Sequence, residues 1–134
     1  MKLEQKVVLI TGAGGGIGVA AVRRFVAEGA KVMLADMDTE VTQALADELG
    51  ADRCAAMAVD VTQEQQVKAM VDACVATFGR IDVFVANAGV EGDIGDIAST
   101  DVSNLDRVFA VNVRGVWLGL HYVIPLMRDQ GGGS

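Results

Sequence analysis

The sequence is short of the residues that metal, redox and nucleic-acid sites need. Its 134 residues include two cysteines and one histidine. Cys54 and Cys74 fall inside a predicted strand and a predicted helix, so we expect reduced thiols that pack as small hydrophobes. His121 alone cannot supply a metal site. Only 11 Lys and Arg residues are scattered through a chain of net charge -7, which argues against a nucleic-acid partner.

Long apolar runs are also missing. Residues 7–22 are uncharged but contain five glycines, and residues 116–127 contain His121 and Pro125. The second run is shorter than the ~20 residues of a spanning helix. The first six residues lead straight into a strand-like run, with no apolar leader ahead of it. These features predict a cytoplasmic protein with no membrane partner.

What the sequence does contain is an alternation of apolar strands and amphipathic helices. The strand-like runs are 7–10, 32–35, 55–59 and 83–86. They are continuously apolar, which is typical of parallel strands covered on both faces. Helical periodicity follows each strand, with a predicted capping box of Thr62 and Gln65 opening the third helix. The pattern predicts an α/β fold, a doubly wound Rossmann-type parallel sheet with strand order 3-2-1-4, forming one incomplete dinucleotide-binding domain over 1–134.

A glycine-rich turn joins the first strand to the first helix. Its sequence from Thr11 to Gly18 is TGAGGGIG. Glycines let the backbone approach a pyrophosphate closely, and the helix N-terminus behind them supplies N–H groups and a positive dipole end. A flexible glycine loop without a ligand is the alternative interpretation. The position between a strand and an amphipathic helix favours nucleotide binding.

Asp36 ends the second strand, 18 residues after Gly18. This is close to the ~20-residue offset of the carboxylate that binds the ribose hydroxyls of a dinucleotide. Its charge would repel a 2′-phosphate, and neither the glycine loop nor Met37 supplies a compensating cation. The sequence therefore favours NAD over NADP. A helix cap or a surface acid is the alternative role for Asp36.

Four motifs in register resemble those of the short-chain dehydrogenases/reductases. The first is Gly-x-x-x-Gly-x-Gly at residues 12–18, and the second is Asp60-Val61 after the third strand. The third is Asn87-Ala88-Gly89 after the fourth strand, where Ala86 replaces the first Asn of the family's Asn-Asn-Ala-Gly. Asn112, within Val-Asn-Val-Arg-Gly on the long helix, is the fourth. Taken singly, Asn87 could be a turn residue and Asn112 a buried helix amide.

The resemblance implies a set of site residues. Asp60 and Val61 would contact adenine, and Asn112 would hold a water molecule in a proton relay. The residues expected to contact the cofactor are Gly12, Gly14, Gly15, Gly16, Ile17, Gly18, Asp36, Met37, Asp60, Val61, Asn87, Ala88, Gly89 and Val111. The family's reaction is hydride transfer between NAD(H) and an alcohol or ketone substrate.

The rest of the family's catalytic set is not found within these residues. The family uses a Ser and a Tyr-x-x-x-Lys, whereas Tyr122 is followed four residues later by Leu126 and no lysine lies beyond Lys68. Tyr122 is therefore interpreted as a packing or interface residue. The sequence predicts the NAD-binding portion of such an oxidoreductase, ending before the fifth strand and inactive alone. The alternative is a non-catalytic NAD-binding module, natural or engineered.

Two surfaces are expected to make a homo-oligomer. Trp117 and His121 lie one turn apart on the long fourth helix, which commonly forms a subunit interface in the resembled family. A helix–helix contact is the preferred interpretation of this pair, and a ligand site is the alternative. The fourth strand, at residues 82–87, would also present an open apolar edge that pairs with another chain.

Overall fold

The computed structural model describes residues 1–134 and has the predicted topology. Four parallel strands lie in the order β3-β2-β1-β4, with helices on both faces. The strands are β1 (Val7–Thr11), β2 (Lys31–Asp36), β3 (Cys54–Ala58) and β4 (Val83–Val85). The helices are α1 (Gly16–Ala27), α2 (Thr39–Leu49), α3 (Glu64–Phe78), α4 (Val102–Phe109) and α5 (Gly115–Asp129), with a π-helical segment, Ala110–Arg114, joining the last two.

Alternate residues of the central strands supply two separate cores. Val7 and Leu9 face the core that α3 and α5 cover. Val8 and Ile10 face the core that α1 and α2 cover. All four side chains are 2% exposed or less. Burial on both faces explains why these strands are apolar throughout, as a doubly wound sheet requires.

Both cysteines are buried thiols without a disulfide partner. Cys54 is 3% exposed on β3, and Cys74 is fully buried on α3. Burial raises the pKa of Cys54 to about 11 and that of Cys74 to about 12. Both are therefore protonated at neutral pH and act as small core hydrophobes.

The predicted capping box at the start of α3 is wrong. Thr62 Oγ1 donates to Asp60 Oδ1 at 2.7 Å instead of accepting an N–H from the helix. The helix begins one residue later than this box requires, with Gln63 as its N-cap residue. The Thr62 hydroxyl is bonded to the nearby Asp60 carboxylate, and such local side-chain bonds often compete with helix capping.

The long fourth helix predicted from the sequence is formed by α4, the π-helical segment and α5, so it contains one wider turn. Residues 102–129 are continuously helical, through the π-helical segment and past Pro125. By length and composition alone this helix could cross a membrane, although its uncharged run, residues 116–127, is shorter than a span. The core helix of a protein outside membranes passes the same test. Here Leu118, Val123 and Met127 are buried in the core that α3 and α5 cover.

The edge of β4 is not as open as the sequence predicts. Ser134 donates its N–H to Asp82 O and accepts from Phe84 N–H, each at 2.9 Å. One residue thus bonds on either side of Val83, which is the pattern of a parallel bridge. The amino end of this edge is paired within the chain, so the expectation of a wholly open edge over 82–87 is wrong there.

Candidate cofactor site

A cleft of about 500 Å³ opens at the carboxyl ends of the strands. The order of the strands reverses between β1 and β4, which is where doubly wound sheets bind their ligands. Every site residue predicted from the sequence lines this cleft except Asp60 and Asn112. Asp38, Val59 and Val90 line it as well and were missed. Each directly precedes or follows a predicted residue, so extending the motifs by one position finds them.

The glycine turn brings two backbone segments into direct contact. Gly12 has a φ of +67°, and a Cβ there would lie 2.8 Å from the Cα of Ala88. A Cβ on Gly18 would collide with the carbonyl oxygen of Gly12 and lie 2.8 Å from the Cα of Ala13. Only glycine fits at either position. The turn is therefore closely packed, which argues against the alternative of a flexible glycine loop.

Helix α1 begins at this turn without a side-chain cap. Its N-cap residue is Gly15, which has no side chain to bind the first-turn N–H groups of Gly16, Ile17 and Gly18. These groups have no partner within a helix. All three residues line the cleft. The cleft wall therefore offers N–H donors and a positive dipole end to an anion.

Asp36 holds the glycine turn through its carboxylate. Oδ2 accepts the N–H of Gly14 at 2.8 Å, and Oδ1 accepts the N–H of Asp38 at 2.9 Å. A Cβ on Gly14 would lie 3.3 Å from the carboxyl carbon. Each carboxylate oxygen can accept a second hydrogen bond. The half-buried carboxylate can thus hold the turn and still bind ligand hydroxyl groups.

Asn87 ties the end of β4 to the end of β1. Its Nδ2 donates to the carbonyl oxygens of Thr11 and Gly12, at 3.1 and 3.0 Å. Thr11 Oγ1 accepts the N–H groups of Asn87 and Ala88. Sequence reasoning missed the role of Thr11, because the bond joins positions 76 residues apart. These bonds fix the start of a shelf, formed by residues 87–90, beside the glycine turn.

Asp60 acts within its own loop. Its Oδ1 accepts both the N–H and the hydroxyl of Thr62, and its N–H donates to Gln66 Oε1. Val59 and Val61, on either side of it, line the cleft, and Val61 is 8% exposed. The contact expected between Asp60 and the cofactor stays a prediction, since its side chain is outside the lining.

Asn112 lies in the π-helical segment and holds Val90. Its Oδ1 accepts the Val90 N–H and its Nδ2 donates to the Val90 carbonyl, both at 2.8 Å. The amide thus makes the same pair of hydrogen bonds to Val90 that a neighbouring β-strand would make. Asn112 therefore positions the far end of the 87–90 shelf, and its role in a proton relay stays a prediction.

The environment of Tyr122 does not suit a general acid or base. Its hydroxyl donates to Glu64 Oε1 at 2.8 Å, joining α5 to α3. This hydrogen bond raises the pKa of Tyr122. A phenol that donates protons to a substrate near neutral pH needs the opposite shift. The contact fits the packing role that the sequence predicts.

A dinucleotide fits the residues of the cleft. Free N–H groups of α1 suit its pyrophosphate, the Asp36 carboxylate suits its ribose hydroxyls, and Val59, Val61 and Val111 supply an apolar wall. The empty space around a Cβ built on Gly16, with no atom within 4 Å, leaves room for a ligand beside the turn. Apolar walls with a few placed polar groups are typical of ligand sites.

The chain is similar to curated proteins along nearly its whole length. It is 43% identical to levodione reductase of Leifsonia aquatica and 39% identical to zerumbone synthase of Zingiber zerumbet. These two matches cover 98% and 100% of this chain, respectively, and 51% of each relative. The chain thus spans about half the length of the curated relatives it matches.

Solved structures agree with this similarity. The chain superposes on 3-ketoacyl-(acyl-carrier-protein) reductase of Brucella melitensis, complexed with NADH, with a TM-score of 0.92 and 40% identity. It superposes on the crystal structure of levodione reductase with a TM-score of 0.93 and 42% identity. These matches cover 96% and 98% of this chain, and 53% and 52% of the solved chains. Residues 6–134 match the family described as short chain dehydrogenase, and with the glycine turn, Asp36 and the Asn87 shelf in place, the chain belongs to that family.

Proposed function

We propose that this chain binds NAD(H) and is the cofactor-binding portion of an oxidoreductase that interconverts an alcohol and a ketone. The contact between the Asp36 carboxylate and the Gly14 N–H carries the proposal, because it places an acceptor for ribose hydroxyl groups beside the anion-binding turn. The bound nicotinamide would supply hydride chemistry. The chain's own residues bind the dinucleotide and orient it. The NADH bound to the Brucella relative supports the same cofactor here.

The choice between NADH and NADPH tests the proposal. A 2′-phosphate would lie close to the Asp36 carboxylate, where like charges repel. We expect NADH to bind the wild-type chain at least about tenfold more tightly than NADPH, a difference of about 1.4 kcal/mol. Titrations followed by nucleotide fluorescence measure both affinities. Tighter binding of NADPH, or no binding of either nucleotide at millimolar concentration, would contradict the proposal.

The proposal includes the association of two copies of the chain through the long helix, Val102–Asp129. Its exposed face carries a stripe of large apolar side chains: Val102, Leu105, Phe109, Val113, Trp117, Leu120 and Ile124. The stripe extends over ~33 Å at 1.5 Å per residue. Trp117 stacks on His121 within it, with ring centroids 4.8 Å apart. Continuous exposed apolar surface marks protein interfaces, and a second copy matches this elongated shape with its own stripe.

Sedimentation velocity tests the association. We expect the wild-type chain to sediment as a dimer or a larger species, and Trp117→Asp to shift it toward the monomer by placing a charge in the contact. Ile94→Asp is the matched control, because Ile94 is 92% exposed on a loop outside the stripe. A monomeric wild type at high concentration, or equal effects of both substitutions, would contradict association through the helix.

A further inference from the structure

The π-helical segment touches both ends of the cofactor cleft. At one end the Arg114 guanidinium donates to the carbonyl oxygen of Thr62, in the loop after β3. At the other end Asn112 binds Val90, in the loop after β4. β3 and β4 are the outer strands of the sheet, about 14 Å apart at 4.8 Å per strand. One helical turn therefore joins two loops that the sheet itself keeps apart.

The contact with the β3 loop is tight. A Cβ on Gly115 would lie 2.8 Å from Val61 Cγ2 and 3.4 Å from the Val61 carbonyl oxygen. The helix backbone thus rests on Val61 with no side chain between them. Val61 therefore lies between the cleft and the start of α5, in contact with both.

Arg114 adds the polar part of this contact. It takes part in no ion pair, and the Thr62 carbonyl is the acceptor for its guanidinium. The loop it binds is closed on itself by the bonds from Thr62 to Asp60. These bonds link Thr62 directly to Asp60, on the other side of Val61. Arg114 therefore links the loop after β3, at Thr62, to the turn that carries Asn112.

We propose that Arg114 is a positioning residue that couples the two ends of the cofactor cleft. Occupation of the adenine end steadies the β3 loop, and through Arg114 it steadies the turn that holds Asn112 against Val90. Because coupling free energies are reciprocal, order at Val90 also strengthens binding at the adenine end. This inference rests on the proposed binding of NAD(H), and on the assignment of the β3 loop to the adenine end.

Hydrogen exchange of the Val90 amide tests the coupling, because that N–H is the one bound by Asn112. The probe is adenosine 5′-monophosphate, which carries only the adenine end of the dinucleotide. In the wild-type chain, followed by ¹H–¹⁵N NMR, we expect saturating nucleotide to slow this exchange about fivefold, the lower end of typical couplings. In Arg114→Met we expect the nucleotide to bind but the Val90 response to fall below about twofold.

Two further variants separate coupling from a general loss of structure. Arg114→Lys keeps a donor that can reach the Thr62 carbonyl, so part of the Val90 response should return. Arg128→Met removes an exposed arginine near the end of the same helix and should behave as wild type. Denaturant unfolding of each variant shows whether the fold is equally stable.

The outcomes distinguish this inference from the proposed function. If adenosine 5′-monophosphate and NADH both fail to bind the wild type, the proposed function fails. If the mononucleotide binds and Val90 does not respond, or responds equally in Arg114→Met, the coupling through Arg114 is overturned. A response lost in Arg114→Met and partly restored in Arg114→Lys supports it.

Discussion

Replacing Gly18 with alanine is expected to lower the melting temperature by about 10 °C and to abolish NADH binding. The added methyl group would collide with the Gly12 carbonyl oxygen and approach the Ala13 Cα to 2.8 Å. Both atoms are backbone, so a side-chain rotation cannot relieve the overlap. Overpacking costs about 1–3 kcal/mol, and we expect the upper end here. For a domain of this size that corresponds to about 10 °C.

Gly16→Ala is the matched control for this substitution. The chemical change is the same, but no atom lies within 4 Å of a Cβ built at position 16, which is the first residue of α1. Alanine there restricts the unfolded chain and favours the helix, so the melting temperature should stay constant or rise slightly. Thermal unfolding followed by circular dichroism measures both variants. Equal melting temperatures for Gly18→Ala and the wild type would contradict the close approach of the turn to α1.

The sheet and the glycine turn were predictable because their signals are local. Continuous apolar runs located all four strands to within one residue at each end. The glycine turn directly follows the first of these strands. Asp36 was predictable for the same reason, since a carboxylate at the end of β2 meets the carboxyl end of β1 in any parallel pair. Right-handed crossovers then leave few alternatives for strand order.

The side-chain amides that hold the loops were less predictable, because each bonds a residue far away in the sequence. The amides of Asn104, Asn112 and Gln130 each bond the N–H and the carbonyl of one residue, which are Asp93, Val90 and Ile81 respectively. Only Asn112 was singled out, through a family resemblance. An isolated Asn or Gln in a helix carries no periodic signal of its partner. Likewise, the π-helical segment leaves no pattern in the apolar spacing.

Asp36→Asn is expected to weaken NADH binding by about ten- to a hundredfold. The carboxylate accepts two backbone N–H groups, from Gly14 and Asp38, and the proposed ribose contacts add to them. A neutral amide has one oxygen, so its NH₂ group would face one of these donors. Hydrogen bonds to a charged group contribute about 1.5–3 kcal/mol, which sets this range. The glycine turn should also loosen at Gly14, where amide hydrogen exchange should become faster.

The same substitution should weaken the preference for NADH over NADPH. Removing the negative charge removes its repulsion of the 2′-phosphate, so NADPH binding should fall less than NADH binding, or rise. We expect the ratio of the two affinities to decrease about tenfold. Fluorescence titration of both nucleotides against the variant and the wild type measures this ratio.

Asp38→Asn separates the position of the charge from its amount. Asp38 also lines the cleft, and asparagine can still accept the Val41 N–H that this side chain caps, at 3.2 Å. Net charge changes equally in the two variants, so a general electrostatic effect would move both ratios alike. A carboxylate that selects the nucleotide by contact predicts a large change for Asp36→Asn and a small one for Asp38→Asn. If the changes are equal, Asp36 does not select the cofactor by direct contact.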